Sequence, residues 1–104
     1  MDVLVRIKRL VLAGAIRYTD KALHEMAAND LVPRDIVESI VSARRIAKTL
    51  RSSTAHGGRR GEKLYVIESP NFSGTPVYTK GKIDQAGGRE CFYVLISAKT
   101  STRN

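Results

Sequence analysis

The apolar residues of this chain change their spacing once, near residue 43, and that change constrains the fold more than any other feature. Before it they recur every three or four residues, the period of a helix lying on a core. After it they recur every second residue, the period of a strand. Helices gathered first and strands gathered afterwards imply an α+β domain. With 104 residues, the chain has room for one such domain, spanning 1–104.

Local signals place the elements. Leu4, Ile7, Leu10 and Val11 stand at helical spacing, and Gly14 stands where a glycine cap ends that helix. Thr19 caps a second helix, with Asp20 at its positive end and Leu23, Met26 and Ala27 as its buried stripe; Asn29-Asp30 ends it. Pro33 opens a third, followed by Asp35 and the core stripe Ile36, Val37, Ile40 and Val41. A short strand over 46–50 follows, then a loop over 52–62, then strands over Leu64–Glu68, Val77–Lys82 and Cys91–Lys99. The last three are joined by short turns, so they form an antiparallel meander. The expectation is three N-terminal helices packed on one face of a four-stranded, mainly antiparallel sheet. Strand periodicity predicts that Phe92, Val94, Ile96 and Ala98 face the helices, with Tyr93, Leu95, Ser97 and Lys99 facing away. The open face then carries Tyr78, Lys80 and Lys99, and a single bulge reverses such an assignment.

Charge gives the first functional indication. The chain carries a formal +8, concentrated over residues 43–63. There Arg44, Arg45, Lys48, Arg51, Arg59, Arg60 and Lys63 stand against Glu62 alone. A basic block of this kind suits a polyanion, most often nucleic acid, and equally an acidic partner protein or a plain solvated loop. No apolar run approaches a membrane span, and the charges interleaved in MDVLVRIKRL give the expectation that this stretch is not a secretory signal. The single cysteine, Cys91, rules out an internal disulfide and a cysteine-built zinc cluster. The expectations are a cytoplasmic protein with no membrane partner, no cofactor and no metal.

No dinucleotide fingerprint or Walker loop is present. Gly57-Gly58-Arg59-Arg60-Gly61 lies between strands, so it reads as an arm touching a phosphate backbone rather than as a nucleotide cradle. His24 is either a general acid or base or a helix-surface histidine, and His56 either reaches a substrate or is solvated. Tyr78 with Lys80 reads either as a solvent-facing strand pair or as a phosphate site. RNA cleavage without metal needs a group to take the 2′-hydroxyl proton, a group to protonate the leaving oxygen, and cations for the phosphorane. A tyrosine and lysines supply such groups.

The order of elements also resembles a known family. Ile7-Lys8-Arg9-Leu10-Val11-Leu12-Ala13-Gly14-Ala15-Ile16-Arg17-Tyr18-Thr19, then Ala22-Leu23, resembles the start of the motility quorum-sensing regulator (MqsR) toxins, mRNA interferases with a RelE-like fold. Ile46–Leu50, Gly74–Lys80 and Val94–Lys99 continue the likeness. Tyr18-Thr19, Ala22–Met26 and Pro33–Ile36 are also similar to the toxin-like domains called DUF4258. The resemblance implies the toxin of a type II toxin–antitoxin pair that cleaves mRNA, on or off the ribosome, without metal. It carries functional roles onto Lys48, Tyr78 and Lys99, the match at Lys48 requiring a short deletion. The family's second-strand glutamine has no counterpart; Glu68 stands in that strand instead.

The sequence thus leads to an endoribonuclease toxin with Lys48, Tyr78, Lys80 and Lys99 as its catalytic set. Arg44, Arg45, Arg51, His56, Arg59 and Arg60 are its RNA-binding residues, and His24 and Glu68 its further acid/base candidates. Its expected partners are mRNA and a cognate antitoxin, for which the zinc-binding helix-turn-helix type is one candidate. The alternative is a non-enzymatic basic module of the same fold that binds RNA or a partner protein.

Overall fold

The computed structural model describes residues 2–52 and 61–101. Its elements are α1 (Val3–Leu12), β1 (Ile16–Tyr18), α2 (Asp20–Ala28), α3 (Pro33–Ser42), β2 (Lys48–Arg51), β3 (Lys63–Pro70), β4 (Pro76–Ala86) and β5 (Arg89–Thr100). The strands form one mixed sheet in the order β1-β5-β4-β3-β2. The α+β class is as expected, but the sheet has five strands rather than four. The additional strand, β1, pairs in parallel with β5, Ile16 opposite Tyr93 and Tyr18 opposite Leu95. At three residues it is too short for periodicity to reveal.

Helix boundaries follow the local chemistry. The Asp2 carboxylate accepts the Leu4 amide at the start of α1. At its end the Gly14 amide donates to the Val11 carbonyl and the Ala15 amide to the Leu10 carbonyl. That is a Schellman closure, with Gly14 at φ 77°. Thr19 caps α2 by accepting the Ala22 amide. Asp30, at φ 57°, turns the chain away after α2. Pro33 opens α3 while Asp35 accepts the Val32 amide. Among the described residues no helix is long and apolar enough to cross a membrane.

The core lies between one face of the sheet and α1 and α3. Leu4, Ile7 and Val11 from α1 and Ile36 and Ile40 from α3 meet Tyr65, Ile67, Val77, Tyr93 and Leu95. Each such aliphatic side chain, fully buried, contributes about 1.5–3 kcal/mol. The buried positions of α2 are Ala22 and Met26, whereas Leu23 and Ala27, expected in its buried stripe, are exposed. This follows from where α2 sits. It runs beside the edge of β5 beyond the end of β1, rather than lying fully over the sheet. There Glu25 accepts from the Ser97 hydroxyl (2.6 Å) and the Ala98 amide (3.1 Å), and Asn29 accepts the Thr100 amide. An unpaired strand edge is thereby closed by side chains.

Burial alone would raise the Glu25 pKa. The hydrogen bonds from Ser97 and Ala98, with Lys21 nearby, outweigh that and hold it below the usual carboxylate range. A carboxylate lowered in the folded state stabilises above its unfolded pKa, and the benefit disappears as pH falls through the folded value. Glu25→Gln is therefore expected to lose about 1–3 kcal/mol at neutral pH. Denaturant titrations should show variant and wild type drawing together progressively as pH falls below the ordinary glutamate pKa of ~4.3, and meeting only below the lowered folded value. Equal stability at pH 7 would show that the edge is closed without Glu25.

Candidate functional site: the open face of the sheet

The strand register determines which side chains share the face opposite the helices. Lys48, Val66, Lys80 and Ser97 form one row across β2, β3, β4 and β5. Glu68, Tyr78 and Lys99 form the next row. Strands lie about 4.8 Å apart, so Lys48 and Lys80 stand roughly 10 Å apart at the backbone, within joint reach of one phosphate for two long side chains. The four residues expected to be catalytic, with Glu68, thus occupy two adjacent rows of one face.

This arrangement depends on a bulge. Lys80 pairs with Ser97 but Gly81 pairs with Leu95, which leaves Ile96 as an extra residue in β5. The parity of β5 changes there. Before the bulge Tyr93 and Leu95 point into the core and are fully buried, while Phe92 and Val94 are half-buried on the open face. The expected inward set of Phe92, Val94, Ile96 and Ala98 is correct only for Ala98, which lies in the core. After the bulge Lys99 returns to the open face opposite Tyr78. The outward placement of Tyr78, Lys80 and Lys99 is as expected, whereas that of Tyr93 and Leu95 is reversed.

Tyr78 is half-buried, with the Lys99 ammonium 5.4 Å from its ring centroid. Burial raises its pKa, and the negative charges of Glu68 and Glu25 raise it further. Neighbouring lysines alone would make such a phenol more acidic. The carboxylates and the burial act the other way, so the phenol holds its proton at neutral pH and suits the role of donor.

Two hollows flank these rows. One, of about 370 Å³, is lined by Arg45, Lys48, Glu68 and Ser101, among others. The other, of about 750 Å³, reaches from Lys80 to β1 and includes Arg17, Lys21 and Arg51. Tyr78 and Lys99 lie outside both. Within the larger hollow the Lys82 side chain is only 10% exposed, and its ammonium pairs with Glu62 at 3.2 Å. Arg51 is exposed and donates to the Gly61 carbonyl. Of the remaining candidates, Arg44 is exposed and lines neither hollow, and His24 is exposed on α2 and lines neither as well. His56, Arg59 and Arg60 lie outside the described residues. Among the described residues no cluster of three metal-ligating side chains occurs.

Arg17, Lys21 and Phe92 were not singled out from the sequence. Arg17 reaches the face because β1 pairs with β5, and its guanidinium lies 3.8 Å from the Phe92 ring centroid. The alternation Ile16-Arg17-Tyr18 is too short to mark this strand, or to place Arg17, from the sequence. Comparison with protein-family models, curated proteins and solved structures finds no match to this chain.

Proposed function

We propose that the protein is a small endoribonuclease whose active face is the open side of the sheet, acting as the toxin of a toxin–antitoxin pair. The observation that carries this reading is the gathering of Lys48, Lys80, Tyr78, Lys99 and Glu68 into two adjacent rows of one face. In this mechanism the substrate's 2′-oxygen attacks the adjacent phosphorus, and the bond to the 5′-oxygen breaks. The products are a 2′,3′-cyclic phosphate and a 5′-hydroxyl. Lys48 and Lys80 neutralise the extra charge of the phosphorane. Glu68 takes the 2′-hydroxyl proton, and Tyr78, whose proton is held firmly, gives its own to the leaving oxygen. The resemblance to the MqsR toxins supports the same reaction. An antitoxin that covers this basic face would block it, and an acidic one would be drawn in by long-range attraction.

The alternative is a basic module that binds RNA or a partner protein without cutting. The lack of a counterpart to the family's second-strand glutamine favours that reading. Incubation of purified protein with a defined mRNA, followed by end mapping, separates the two. The nuclease reading expects discrete cuts with cyclic-phosphate ends, lost in the double variant Lys48→Ala, Lys80→Ala. Intact RNA at molar excess of protein would leave the binding module as the function.

A further inference from the structure

We infer that the larger hollow is a nucleobase-stacking subsite, which seats one unpaired base of a single-stranded RNA beside the phosphate that Lys48 and Lys80 hold. This deepens the nucleic-acid reading above and rests on it.

The hollow has three features that together fit a base. Its floor is apolar, with Leu64 buried and Val94 and Ile96 half-buried beneath solvent. Next to that floor a flat surface is already assembled, since the Arg17 guanidinium lies 3.8 Å from the Phe92 ring centroid. Arg17 is itself exposed and half-buried Phe92 supports it from below. A supported guanidinium offers a plane on which any base can stack.

The third feature is the placement of charge. Asp84 is the register partner of Phe92, and Glu62 also lines the hollow, paired with Lys82. With Glu62 held by Lys82, the Asp84 carboxylate is the one that disfavours a phosphate beside it and can accept hydrogen bonds from a base edge. At the other end Lys80 opens on the hollow, and Lys48 shares its row. The polarity is therefore base toward Asp84 and Phe92, phosphate toward Lys80. Lys80 and Asp84 are four residues apart on one strand, about 13 Å. That length accommodates a nucleotide between them. A volume of about 750 Å³ is ample for one.

The probe is a short RNA made uncleavable by 2′-O-methyl groups, with a single 2-aminopurine moved from position to position. Stacking quenches 2-aminopurine emission whether or not the protein is a nuclease. The expected result with wild-type protein is a drop in emission at one position only. That drop should vanish in Phe92→Leu and in Arg17→Lys, which keeps the charge but not the plane. Affinity should fall about tenfold in both, the scale of one lost stacked base. Lys80→Ala should instead keep the emission pattern and lower the salt slope of binding by about 0.7, one single-strand phosphate contact. An abasic nucleotide at the quenched position should weaken binding to unaltered protein by the same tenfold, which tests the site without any variant. Equal affinity for the abasic RNA, quenching at no position, or competition by polyglutamate as strong as by RNA of the same charge would each overturn the proposal. RNA that is quenched but never cut when its 2′-hydroxyls are free would retain the subsite and remove the nuclease reading. RNA that is cut but indifferent to the abasic change would do the reverse.

Discussion

Gly81→Ala is expected to destabilise this protein more than any other single-methyl change in the sheet. A Cβ at Gly81 would lie 2.6 Å from Cζ, 2.7 Å from the hydroxyl oxygen and 2.8 Å from Cε2 of Tyr93. Tyr93 is fully buried and its ring lies across the glycine, so the ring cannot yield without disturbing the core. Glycine in a strand interior commonly marks this kind of close approach. Forcing a methyl into such a contact costs typically 1–3 kcal/mol, and more where the neighbour is rigid. The expected loss is about 3 kcal/mol. For a domain of this size that lowers Tm by roughly 12–24 °C, at about 4–8 °C per kcal/mol. Pairing the change with Tyr93→Leu should recover part of the loss, since contacting side chains couple. Tyr93→Phe alone should be neutral or stabilising, because the buried Tyr93 hydroxyl has no hydrogen-bond partner among the described residues. Denaturant midpoints of the variants and the double variant decide the matter. Wild-type stability in Gly81→Ala would mean that the ring moves aside freely.

Tyr78→Phe should reduce RNA cleavage by about 10²–10⁴-fold, the usual contribution of a positioned general acid. Binding of uncleavable RNA should change little, because the ring and its contact with Lys99 remain. The pH profile carries the sign. A general acid works while it is protonated, and burial with two nearby carboxylates raises the Tyr78 pKa above its ordinary value. The alkaline loss of activity due to Tyr78 should therefore begin only above about pH 10, the ordinary tyrosine range. Single-turnover cleavage followed from pH 6 to 10 tests this. A loss between pH 7 and 9 that persists in Tyr78→Phe would assign the proton to another group.

Much of the candidate face was readable because its residues fall on the solvent-facing parity of long strands. Tyr78, Lys80 and Lys82 alternate along β4, which is regular throughout its own length, and the register carries Lys48, Glu68 and Lys99 onto the same face. Arg17 and Lys21 were not readable in this way. They reach the face through pairing and packing with β5, as in the bond from the Thr19 hydroxyl to the Ile96 carbonyl across 77 residues. His24, although a chemically attractive residue type, sits exposed on α2 outside the two hollows.

Local chemistry by itself determined the helix ends and the order of every element except β1. Gly14 permits a left-handed residue, Thr19 accepts an orphan amide, and Pro33 lacks the amide a first turn cannot use; none of these depends on distant residues. Only the tertiary structure decided three other features. Ile16–Tyr18 becomes a strand because β5 offers an unpaired edge. Glu25 and Asn29 acquire their roles because α2 closes what remains of that edge. The inward and outward sides of β5 exchange at Ile96, where the pairing with β4 skips a residue. A bulge belongs to a pair of strands rather than to either one, so periodicity within one segment cannot reveal it.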